Sequence, residues 1–210
     1  MNASLGAAAY ATLKRAVLDA TLAPGSTASE PELAARLGMS RTPVHEAVLR
    51  LQAEGFLRVL PKRGVLVVPV TRGDIEDVYE VLIALEGAAA ARLALHRPPQ
   101  GLGEWRALTA EMEQAQAEGR RGAWAEADDA FHRRLLEACG NPRLAAGAAN
   151  ALDLAGRARV LTMGGRALAR SAADHWAIIA ALDAGDGEAA RHALAEHRGR
   201  AAREMLALLP

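Results

Sequence analysis

Periodicity and punctuation predict a mainly α protein. An N-terminal winged helix-turn-helix, three helices plus a β-hairpin, spans residues 1–70, and a C-terminal all-α antiparallel helical bundle spans residues 71–210. Three observations carry this. Two short helical patterns meet at the tight turn Gly38-Met39-Ser40. Apolar and β-branched runs follow, on either side of Pro61-Lys62-Arg63-Gly64. From Thr71 onward strand signals vanish, and Ala/Leu/Glu/Arg-rich segments alternate with short breaks. A length of 210 residues exceeds the usual single domain and is short for three.

The elements follow in order. Leu5, Ala9, Leu13, Ala16 and Val17 have helical spacing, which predicts a first helix from Leu5 to Leu22, stopped by Pro24-Gly25. Ser29 with Glu32 three residues later forms a capping-box pattern opening a second helix, Pro31 to Leu37, which Gly38 ends. Ser40 is placed to cap a third, Arg41 to Glu54, with Pro43 in its first turn and Val44, Val48 and Leu51 as its apolar stripe. Phe56–Leu60 and Val65–Val70 read as the hairpin. Breaks at 97–103, 119–122, 140–142, 163–165 and 185–187 divide the remainder into six helices.

Composition narrows the function classes. Half the residues are apolar and 24% are charged, which fits a globular chain. Glu86 and Arg92 interrupt even the Ala-rich stretch Leu82–Leu95, so no membrane span is expected. Lys14 and Arg15 follow the apolar start instead of preceding it, so no export signal is expected. The single cysteine, Cys139, fits a buried thiol in a reducing compartment, the cytoplasm. The zero net charge is unequally divided. Residues 1–70 hold eight Lys/Arg against five Asp/Glu, and the rest seventeen against twenty, which suggests an anionic partner for the N-terminal part.

That partner is double-stranded DNA if the third helix enters the major groove N-terminus first. Ser40, Arg41, Thr42 and His45 would then face it. Arg41 can grip guanine in bidentate fashion, while Ser40 and Thr42 suit phosphates near the positive helix end. Lys62, Arg63 and Gly64 would form the wing. Spacing alone is shared by many helical hairpins. The longer string is more specific: Pro24-Gly25, Glu32 through Val44, Glu46-Ala47 and Leu51 through Phe56 closely resemble the N-terminal domain of GntR-type bacterial regulators. His45 departs from that resemblance, which leads one to expect arginine there.

The histidines form a second constellation. Asp128 and His132 share a helix face at i, i+4, and His175 and His197 lie on two later helices. Such a pair is as a rule an exposed ion pair, yet an Asp and three imidazoles can also hold a divalent metal ion. Zinc comes first, with nickel, manganese or iron as alternatives. Asp129 rivals Asp128 on spacing, and His96 and His192 read as surface residues. Asp128 through His132, Cys139 through Pro142, His175 through Ile179 and Gly185 through His197 resemble successive signatures of the FCD domain, which marks the FadR-like branch of the GntR regulators. The resemblance implies that Asp128, His132, His175 and His197 hold a metal, and that a small organic or sugar acid binds there as effector.

Leu82 is a second departure, at a position where the resemblance leads one to expect arginine. Arg157 or Arg159 could replace that carboxylate partner, with a solvated surface position expected for at least one of them. Trp105, Trp124 and Trp176 read as core or dimer-contact residues. The expected protein is a homodimeric transcription regulator, a repressor, whose two heads read a palindromic operator. One alternative is a metal-dependent hydrolase with Asp129 or Asp174 as general base. Another is a regulator with a purely structural metal.

Overall fold

The computed structural model describes residues 5–95, 102–163 and 170–209. The chain forms two compact units that part between Thr71 and Arg72.

In the first unit, α1 (Leu5–Leu18) buries Ala9, Leu13 and Val17 of the predicted stripe, while Ala16 is only partly buried and Leu5 is exposed. It stops short of Leu22. Ala20 takes a left-handed φ of 61°, and the Asp19 carboxylate accepts a hydrogen bond from Thr21 N–H, which ends the helix before Pro24. Then come β1 (Thr27–Ala28), α2 (Glu30–Leu37), α3 (Arg41–Ala53), β2 (Leu57–Leu60) and β3 (Gly64–Val67). The Ser29–Glu32 capping box is present at α2, and Gly38 closes that helix in the left-handed conformation. The Ser40 hydroxyl, by contrast, makes no capping hydrogen bond. Pro43 stands at the third helical position, so one of the N–H groups such a hydroxyl accepts from is missing.

The wing is a three-stranded antiparallel sheet of order β1-β3-β2, not a lone hairpin. β1 is two residues long, too short for any periodicity to announce it. It explains Gly64: a Cβ there would lie 2.7 Å from the Ala28 carbonyl oxygen, and φ is 94°.

The second unit contains α4 (Arg72–Ala94), α5 (Leu102–Ala117), α6 (Arg121–Ala138), α7 (Pro142–Met163), α8 (Ser171–Ala184) and α9 (Gly187–Leu206). Helix α4 packs against α9 and α7, and α5 packs against α6 and α8. Trp105, Trp124 and Phe131 are core residues, and Cys139 is buried and unbridged. Trp176 is half-buried and donates its indole N–H to Glu113. No described helix is long and apolar enough to cross a membrane.

Candidate nucleic-acid face and candidate metal centre

Helix α3 buries Pro43, Val44, Ala47, Val48 and Leu51 against its own unit. That leaves Arg41, Thr42, His45, Glu46 and Leu49 on the outside, with Ser40 exposed at the N-terminus. His45 is not bare: its Nδ1 lies 3.0 and 3.1 Å from the two carboxylate oxygens of Glu30 on α2. Arg50 turns the other way, stacking 3.6 Å from the Tyr10 ring centroid and pairing with Glu54. Lys62 and Arg63 are exposed at the wing tip, Lys62 with a left-handed φ of 62°. Gly64 is explained by its contact with β1, a packing reason that holds with or without DNA.

In the second unit the fold brings Asp128, His132, His175 and His197 together, all buried. Helix α6 supplies Asp128 and His132 one turn apart, while α8 and α9 each supply one histidine. Nε2 of His197 lies 3.1 Å from that of His132 and 3.4 Å from that of His175. Asp128 Oδ1 lies 3.5 Å from His175 Nε2 and 4.0 Å from His132 Nε2. Four ligands at bond lengths of about 2.0–2.1 Å in a tetrahedron sit roughly 3.3 Å apart, so this donor set fits a small divalent ion.

Charged groups behind the rings support the same fit. Glu86 Oε1 lies 3.2 Å from His132 Nδ1, and Asp174 Oδ2 lies 3.7 Å from His197 Nδ1. A carboxylate on Nδ1 orients a ring with its Nε2 toward an ion. Both carboxylates are themselves held by arginines. Arg198 donates to Glu86 at 2.6 and 2.7 Å, and Arg200 donates to Asp174 at 2.9 and 3.2 Å. His175 differs: its ring stacks on Phe131 at a centroid distance of 3.8 Å.

Burial would push the carboxyls of Glu86, Asp128 and Asp174 upward, but their partners prevail. Arg198 and His132 hold Glu86 below the usual carboxylate range, Arg159 does so for Asp128, and His197 and Arg200 for Asp174. Burial, then the neighbouring histidines, pushes His175 well below an ordinary imidazole. Burial lowers His197 as well, against the opposing pull of the Asp174 carboxylate. Ionised carboxylates and neutral imidazoles are the forms that ligate metal. Burial also drives the Tyr79 phenol up to about 12, against the pull of Arg198.

Several sequence expectations need correction. Arg157 and Arg159 are both buried, neither on the surface. Arg159 donates to Asp128 at 2.6 Å and to Asp129 at 2.8 Å, while Arg157 interacts electrostatically with Asp74. Asp129 is outside the cluster and partly exposed, so Asp128 alone of the two joins the histidines. His175 lies one turn into α8, which Ser171 opens, and the Ser171 hydroxyl donates to Asp128. Leu82 is a core residue. His192 is exposed, and His96 lies outside the described residues. Glu86, expected only to interrupt the Ala-rich stretch, and Arg198, not singled out in the sequence, form a buried pair behind the cluster. The signal for Glu86 was a lone acid inside the Ala-rich stretch of α4, where a charge needs a buried partner.

Comparison with known proteins agrees with this architecture. Residues 5–67 match the family described as bacterial regulatory proteins, gntR family, and residues 77–200 match the FCD domain. An uncharacterized HTH-type transcriptional regulator from the TAR-I ttuE-ttuC' intergenic region of Agrobacterium vitis is 45% identical over 132 residues, 61% of this chain and 77% of the relative. A probable D-xylose utilization operon transcriptional repressor of Paenarthrobacter nicotinovorans is 34% identical over 174 residues, covering 82% and 76%. Among solved structures, Escherichia coli McbR/YncC superposes with a TM-score of 0.83 at 26% identity, covering 97% of this chain and 98% of that one. These families and relatives are transcriptional regulators, not enzymes. The chain belongs to the GntR family of DNA-binding transcriptional regulators and carries a C-terminal FCD domain.

Proposed function

We propose that the protein is a homodimeric cytoplasmic repressor whose operator binding is controlled by a divalent metal ion and a small organic or sugar acid. Residues 1–70 act as the DNA-binding domain, and residues 71–210 act as the sensor. The observation that carries the proposal is the buried convergence of Asp128 with the Nε2 atoms of His132, His175 and His197. These four residues would hold the ion, with zinc first and nickel, manganese or iron as alternatives. When bound, it supplies a Lewis-acid centre for a carboxylate or hydroxyl oxygen.

The chain's own residues do the rest. Glu86 and Asp174 flank two of the rings, and Arg159, already paired with Asp128 and Asp129, brings a guanidinium whose remaining N–H groups can donate to an effector carboxylate. Arg157 is the second candidate effector contact. An effector acts only through different affinities for the DNA-competent and DNA-incompetent states. Repression is favoured by the designation of the Paenarthrobacter relative as a repressor.

On the DNA side, Arg41 reads a base while Ser40 and Thr42 take phosphates, helped by a Ser40 hydroxyl that no helix cap engages. His45, Lys62, Arg63 and Gly64 complete the face. Arg41→Ala is expected to weaken binding to a selected operator about 10- to 100-fold, and lowering the salt will not restore the lost sequence preference. Fluorescence anisotropy against salt checks this, and undiminished specificity in the variant refutes the role.

Complete burial of all four cluster residues favours a second reading, a purely structural metal. In that case chelation lowers the melting temperature, while no organic or sugar acid raises it or alters operator binding.

A further inference from the structure

Helix α3 has an outward stripe in which Arg41, His45 and Leu49 recur every fourth residue, so their side chains lie above one another on one face. From Arg41 to Leu49 the stripe rises about 12 Å, close to the width of the major groove, about 12 Å. Its chemistry changes along its length. Arg41 is a cation at the N-terminus, and His45 keeps an exposed side chain whose Nδ1 lies beside Glu30. Leu49 is 45% exposed, the one large apolar side chain on α3 left open to solvent. The other arginine of the helix, Arg50, is turned onto Tyr10 and Glu54 and does not belong to this face.

A single exposed leucine on an ordinary surface needs no explanation. Leu49 differs because it continues the stripe that begins with Arg41, on the helix expected to enter the groove. An aliphatic group there has one bulky complementary feature to meet, since the thymine C5-methyl is the one methyl group that base pairs present in the major groove. We infer that Leu49 is a specificity-determining residue that reads a thymine methyl, with Arg41 reading a base nearer the helix N-terminus. The inference rests on α3 being the groove-entering helix.

The test uses the full-length protein and an operator selected from random DNA. Each thymine is replaced in turn by deoxyuridine, which removes only the methyl group, and affinities are measured for wild type, Leu49→Ala and Leu49→Met. At one thymine position wild type should lose about 3- to 10-fold on the deoxyuridine operator. Leu49→Ala should show a similar loss on the unmodified operator and no further loss with deoxyuridine, while Leu49→Met keeps most of the sensitivity. If deoxyuridine costs the same in Leu49→Ala as in wild type at every position, Leu49 reads no methyl. A change of oligomeric state in DNA-free Leu49→Ala, measured by light scattering, would instead assign Leu49 to a protein contact. Failure to select any operator, or full specificity in Arg41→Ala, defeats the groove-entering assignment itself and the inference with it.

Discussion

Glu86→Gln lowers the melting temperature by on the order of 10 °C. Glu86 is fully buried and accepts two short hydrogen bonds from Arg198, itself only 4% exposed. A neutral amide leaves that buried guanidinium without the counter-charge it is hydrogen-bonded to, and breaking a buried pair in this way costs about 3–5 kcal/mol. For a chain of this size that translates to a few degrees per kcal/mol. The double variant Glu86→Leu/Arg198→Leu should recover much of the loss, because a buried pair exchanged for apolar groups of similar volume is often close to neutral. An unchanged melting temperature in the single variant would show that the pair contributes nothing. Metal binding by the double variant gives the second readout: affinity should fall about 10- to 100-fold, since His132 has lost the carboxylate at its Nδ1.

Adding a divalent ion to metal-stripped protein raises the melting temperature, and His197→Ala abolishes the rise. An ion at one hundred times its dissociation constant stabilises the folded state by about 2.7 kcal/mol, which corresponds to roughly 5–10 °C here. His197 is the strongest choice of variant because its Nε2 is close to both other imidazoles. Asp128→Asn should behave like His197→Ala, whereas Asp129→Ala, at a residue that pairs with Arg159 from outside the cluster, should keep the full metal response. Equal responses in wild type and His197→Ala would remove the histidine cluster from any metal role.

Much of this molecule was legible in the chain. Helix starts and stops in the first unit followed from local chemistry, such as the Ser29–Glu32 box and the left-handed Gly38, because such signals act over three or four residues. The strand β1 was not, since a two-residue strand exists only through its partner, β3. The early end of α1 was set by a left-handed alanine, a conformation no composition rule anticipates. The four cluster residues could be grouped by helical spacing and by resemblance. What holds them could not. The Glu86–Arg198 pair spans 112 positions, and the Asp174–Arg200 pair joins two helices. Arg159 is buried because two aspartates of α6 await it, and its own neighbours on α7 carry no sign of that.

The most direct test of a ligand-controlled regulator measures operator binding by fluorescence anisotropy with metal-loaded and metal-stripped protein, across a panel of organic and sugar acids. One acid should shift the operator affinity of metal-loaded wild type about 5- to 150-fold and leave His175→Ala and the metal-stripped protein unmoved. Operator binding that is indifferent to metal and to every acid, in a protein that still binds the metal through Asp128 and the three histidines, would contradict it.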